Sequence, residues 1–144
     1  MGAVYSFDTT TSGRSGDAAR VEVRVGNGPQ WTSVVRSVVG HLARRAAYDQ
    51  DMVVDLRLAV DEVCGVLGDL SPAGQEFTCA FDVRPDRMDV EFTTELTERG
   101  RPMPADSLGW LLLRGVTDEL ITLRTPGVGG AADELRIRLG RRIR

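Results

Sequence analysis

The sequence predicts an α+β fold: a two-layer sandwich with helices on one face of a mixed or antiparallel sheet. Three observations predict it. Two long stretches carry apolar residues at the helical period, while several short ones alternate at the strand period. In chain order the elements read β-α-α-β-β-α-β-β. Strands therefore fall in hairpins, and helices are not threaded singly between them as a doubly wound parallel sheet requires. At 144 residues the chain is long enough for one domain with a sizeable core, and it contains no internal repeats.

Residues 1–19 are rich in Ser, Thr, Gly and Asp and show no apolar period, so they read as a flexible tail ahead of a domain spanning 20–144. Val21-Glu22-Val23-Arg24-Val25 alternates as a half-buried strand, and Gly26-Asn27-Gly28-Pro29 is a turn. From about Gln30 to Ala47, Trp31, Val34, Val35, Val38, Val39, Leu42 and Ala46 form one apolar stripe of a helix. Its other side carries Ser33, Arg36, Ser37, Gly40, His41, Arg44 and Arg45, a basic face with small residues. Taken alone, it reads as a solvated face or a place where a partner approaches closely.

A second helix runs from Asp51 to Leu70, with Asp51 as its expected cap and Gly68 or Ser71-Pro72 as its end. The acidic pair Asp61-Glu62 sits in the middle of this helix. Asp61 reads as an exposed helix residue able to pair with Arg57 one turn back. Glu62 has two readings, a general base or a solvated helix residue. Glu76–Val83 and Met88–Thr93 form a hairpin around Pro85-Asp86-Arg87. Residues 97–106 read as an irregular loop. Ser107–Val116 reads as a buried helix, Glu119–Leu123 as a strand, 125–132 as a Gly-rich turn, and Asp133–Leu139 as a last strand before a basic tail.

Composition excludes several classes of function. The net charge of -3 gives no general attraction to nucleic acid, and no aromatics interleave with the arginines at the chain end. No apolar run approaches the roughly 20 residues that span a bilayer, and no signal peptide is expected. Cys64 and Cys79 lack metal-ligand spacing, and the single histidine, His41, has no second ligand on its helix face. The expectation is a cytoplasmic protein with buried reduced thiols and no metal site. Trp31 and Trp110 are expected in the core.

Leu56-Arg57-Leu58-Ala59-Val60-Asp61-Glu62-Val63-Cys64 resembles the "N-box" helix of the histidine-kinase-like ATPases. More narrowly, it resembles the small anti-sigma-factor kinases of Gram-positive bacteria, in their actinobacterial branch. Ser107–Arg114 followed by Thr117-Asp118-Glu119-Leu120 is similar to that family's Gly-rich segment and the helix after it. Together the resemblance covers about residues 20–140.

In active members the resemblance implies a general base at Glu62, an Asn one turn on that helps hold Mg²⁺, and an Asp-x-Gly-x-Gly segment after the third strand for adenine. Oxygen ligands suit Mg²⁺, and a carboxylate beside the nucleophile takes its proton. Here Val66 stands in the Asn position, Thr94 in the Asp position, and Leu96 and Glu98 in the two Gly positions. In the Gly-rich segment Gly109 is in place, but Ser107 replaces the earlier Gly. Leu96 puts a side chain where backbone must approach a nucleotide, and a thin glycine cradle holds phosphate poorly. No cofactor is expected; ATP with Mg²⁺ is the alternative, with Glu62 and Gly109 as its remaining contacts.

The resemblance further implies a homodimer that clamps a sigma factor through the first helix. It assigns Arg36 to the family's sigma-contacting Arg, with Ser33, Gly40 and Arg44 around it. Arg suits such a contact through its rigid, bidentate fork. The leading expectation is thus an anti-sigma factor released by an anti-anti-sigma antagonist, with a degraded nucleotide site. The alternatives are an active Ser/Thr kinase that phosphorylates the antagonist and an unrelated α+β interaction module.

Overall fold

A computed structural model describes residues 7–11, 19–71, 75–96 and 107–144. The elements are β1 (Phe7–Thr11), β2 (Ala19–Gly26), α1 (Pro29–Arg45), α2 (Gln50–Leu70), β3 (Glu76–Val83), β4 (Arg87–Leu96), α3 (Leu108–Val116), β5 (Glu119–Thr125) and β6 (Asp133–Arg142). Six strands form one sheet in the order β1-β2-β3-β4-β6-β5, and every neighbouring pair is antiparallel. The α+β two-layer reading holds.

Strand parity explains the layering. Val21, Val23 and Val25 of β2 share a face with Phe77, Cys79 and Phe81 of β3, with Met88, Val90 and Phe92 of β4, and with Leu135, Ile137 and Leu139 of β6. All are buried. Alternate residues such as Arg20, Glu22, Asp82, Glu91 and Arg136 leave the other face charged, as antiparallel sheets permit. The helices seal the apolar face with Val35, Val39 and Ala43 of α1 and Met52, Leu56, Val60, Val63 and Leu67 of α2. Each of these larger side chains contributes roughly 1.5–3 kcal/mol through removal from water.

Four expectations are corrected. The stretch read as a tail contains β1, which pairs from Phe7↔Val23 to Thr11↔Ala19. The cap of α2 is Asp49, not Asp51: Asp49 has extended backbone, and its side chain accepts from Met52 N at 2.8 Å. Asp51 sits in the first turn, where a carboxylate favours the helix dipole. In α3 only Trp110 and Leu113 are buried, while Leu108 is 75% exposed and Leu111 and Leu112 also face water. The basic tail is in part strand: β6 runs to Arg142, and Arg141 is buried against Asp55 of α2 at 3.1 Å. The loop expected at 97–106 lies outside the described residues, and so does Glu98.

The α1–α2 connection fixes how the two helices face each other. Tyr48 N donates to Ala43 O and Ala47 N to Arg44 O, the paired bonds of a helix C-terminus closed by a left-handed residue. That residue is Ala47, at φ 60°. Tyr48 then drops into the core and its hydroxyl meets the carbonyls of Arg84 and Arg87 in the β3–β4 hairpin. Burial pushes the Tyr48 phenol up to about 12.

Candidate functional site

The antiparallel α1–α2 pair forms a seam that climbs one turn at a time. Near the α1 N-terminus Thr32 lies beside Cys64, its hydroxyl donating to Gly28 O at 3.4 Å. One turn on, Arg36 Nε lies 3.1 Å from Asp61 Oδ1. A further turn on, Gly40 lies beneath Arg57. Residues 32, 36 and 40 are spaced by four, so the three contacts line one ridge.

Arg36 is therefore held by Asp61. The two closest atoms are shut off from water yet lack hydrogen-bond alignment, so charge attraction makes the contact. Both side chains are about one-third exposed, which limits such a pair to roughly 0–1 kcal/mol. Its effect is positional: the guanidinium is kept at the surface of the seam. Asp61 does not pair with Arg57 as helix spacing suggested. The tertiary partner across the seam takes precedence over the neighbour one turn away.

Ser33 is exposed, and its hydroxyl donates to Gln30 O at 2.8 Å. Arg44 is exposed near the C-terminal end of α1. Gly40 is buried, contrary to its expected place on an open face: a β-carbon there would lie 3.6 Å from Arg57 Cδ and 3.7 Å from Arg44 Nη1. Of the four expected partner residues, Ser33, Arg36 and Arg44 share the outer side of α1, and Gly40 lies under the arginines.

Glu62 points the other way, toward α3. Its Oε2 lies 2.4 Å from the point a β-carbon on Gly109 would occupy. Gly109 is in the first turn of α3, whose cap is Ser107, accepting from Trp110 N at 3.1 Å. Ser107, where the resemblance expects a glycine, thus caps the helix. The Glu62 carboxylate rests at the positive end of this helix, where an anion is stabilised. The structure brings together the two retained motif residues, Glu62 and Gly109.

The departing residues have other contacts. Val66 and Leu96 are in the apolar core, and Thr94 is buried with its hydroxyl donating to Glu76 O at 3.0 Å. Cys64 and Cys79 are buried free thiols. Burial, with Asp61 nearby, pushes the Cys64 thiol up to about 12, and burial raises Cys79 well above the ordinary value. Among the described residues no group of His, Cys, Asp and Glu has the arrangement to hold a metal ion. No described helix is long and apolar enough to cross a membrane.

Two features of this surface escaped sequence reasoning. Arg57 faces α1 over Gly40, and the one available signal was a glycine in mid-helix opposite a long side chain. Leu108, Leu111 and Leu112 project outward from α3. Their spacing by three and four marks one face, but the whole segment is so apolar that the period is masked.

No family model matches the sequence. The chain is 30% identical over 133 residues to the "Anti-sigma-F factor RsbW" of Mycobacterium tuberculosis, in two strains. The match spans 90% of this chain and 79% of each relative.

Proposed function

The chain belongs to the RsbW family of anti-sigma factors, and from that premise we propose that it binds and sequesters a sigma factor of the stress or sporulation class. In this reading α1 supplies the main contact, with Arg36 at its centre and Ser33 and Arg44 beside it. Asp61 holds Arg36 in place before the partner arrives, which lowers the ordering cost of binding. An anti-anti-sigma antagonist releases the sigma factor by competing for an overlapping surface. The working unit is a homodimer, and the protein acts in the cytoplasm.

The reading also holds that binding, not phosphoryl transfer, is the activity. One observation carries it: Val66, Thr94 and Leu96, three of the positions that depart from the nucleotide motif, are all buried in packing or backbone hydrogen bonding. Val66 offers no oxygen to Mg²⁺, and the Thr94 hydroxyl is already donating to Glu76 O. Calorimetry with ATP-Mg²⁺ tests this, with absence of micromolar binding as the expected result.

A second reading, an ATP-dependent Ser/Thr kinase acting on the antagonist, is favoured by Glu62 beside Gly109. Phosphate transfer to a purified antagonist that is abolished by Glu62→Gln would establish it in place of the first.

A further inference from the structure

α1 carries Arg36, Arg44 and Arg45 and no acidic residue, in a chain whose net charge is -3. Such a basic helix on an acidic protein is electrostatically unbalanced at this surface. Arg36 is balanced by Asp61. Arg44 and Arg57 are not. Among the described residues, no carboxylate lies within ion-pair distance of either.

Helical spacing explains why. The neighbours of Arg57 three and four residues away are Val53, Val54, Val60 and Asp61, and Asp61 is engaged by Arg36. Those of Arg44 are Gly40, His41, Ala47 and Tyr48, none of them acidic. The remaining acids near the middle of α2 are also occupied: Asp55 with Arg141, and Glu62 against α3.

The two arginines are nonetheless brought together. Arg57 Cδ and Arg44 Nη1 both lie within 4 Å of the point where Gly40 would carry a β-carbon. Arg57 is half-buried there, with its stem laid across the glycine. Two arginines that share one stretch of the seam, with the Arg57 stem beside the Arg44 head, favour an anion there. Each planar guanidinium also offers a carboxylate two parallel N–H donors.

We infer that Arg44 and Arg57, meeting over Gly40, form a receptor for an acidic side chain of the bound partner protein. This rests on the reading of the chain as a sigma-binding module. It adds a recognition element on α2 and states the chemistry the partner must present: a carboxylate one helical turn along the seam from the Arg36 contact.

The test uses purified alternative sigma factors from the source genome, each titrated into the full chain by calorimetry. The one that binds is then titrated into Arg44→Met, Arg57→Met, the double variant and Arg45→Met. Methionine keeps the apolar stem, so the α1–α2 packing stays intact, and thermal melts check this. Removing either receptor charge is expected to weaken binding about tenfold, as for an ion pair partly shielded from water. The double variant loses less than the product of the singles, because one carboxylate serves both arginines. Arg45→Met stays within about twofold of the parent, the range of an exposed charge outside the contact.

Parent-like affinity for both single variants, with Arg36→Ala still disruptive, would overturn the receptor and leave the sigma-binding reading standing. If no sigma factor binds the unmodified chain, both fall.

Discussion

Glu62 on α2 and Gly109 on α3 are in such close approach that a β-carbon on Gly109 would lie 2.4 Å from the Glu62 carboxylate oxygen. Glu62, which the resemblance assigns to a kinase base, lies in this chain at the start of a neighbouring helix. The glycine is what makes room for it.

A double-mutant cycle measures that relationship. Glu62→Ala removes an anion from a helix N-terminus and is expected to cost about 0.3–1 kcal/mol. Gly109→Ala forces the carboxylate to swing out, while alanine improves helix propensity by up to about 1 kcal/mol, so its net effect is small. In the Gly109→Ala background, Glu62→Ala should then cost nothing. Urea unfolding of the four proteins gives the coupling, expected at about 0.3–1 kcal/mol. Additive effects would mean the two residues do not communicate.

Ala47 holds a left-handed conformation at the end of α1. An L-residue with a side chain is strained there by roughly 1–2 kcal/mol, part of which glycine returns through its greater freedom in the unfolded chain. Ala47→Gly should therefore stabilise the protein by about 0.5–1 kcal/mol, read as a shift in the urea midpoint at constant slope.

Much of the architecture was legible before the fold was known, and the exceptions have physical causes. The bounds of β3 and the core stripes of α1 and α2 follow from period alone, because each element buries one continuous face. β1 was missed because its assignment depends on distant pairing, Phe7 with Val23, and local pattern carries no trace of that. The cap of α2 was misplaced by two residues because Asp49 and Asp51 are chemically equivalent in sequence; only the extended backbone at Asp49 distinguishes them. Within the candidate site, the sequence singles out Arg36 but not the carboxylate it meets. Spacing along one helix points Asp61 at Arg57, whereas the register between two helices gives it to Arg36. Gly40 was read as open for a similar reason: its cover comes from α2.

Asp118 links the α3–β5 junction to the end of β6. The backbone N–H of Arg142 holds its carboxyl below the usual carboxylate range, helped by the charges of Arg144, Arg141 and Arg142. A lowered folded pKa contributes stability above the unfolded value of about 3.8, and that contribution is lost as pH falls through the folded value. Asp118→Asn should thus be less stable than the parent at neutral pH, and the difference should shrink to nothing in strongly acidic solution. Thermal melts from neutral pH downward follow it.

The thiols of Cys64 and Cys79 are expected to resist alkylation at pH 8 in the native protein. The reactive species is the thiolate, and burial pushes Cys64 up to about 12 and Cys79 well above its ordinary value. Both should react promptly in denaturant. Raised folded values also mean that stability declines once the solution passes the ordinary thiol value of about 9, because the unfolded chain ionises first.

The central claim is that this RsbW-family chain works by holding a sigma factor without nucleotide. Calorimetric titration of the purified protein with the alternative sigma factors of its source genome, in ATP-free buffer, tests it most directly. One of them is expected to bind, and Arg36→Ala to weaken the complex at least tenfold. Binding to none of them, or binding that appears only with ATP-Mg²⁺, would contradict it.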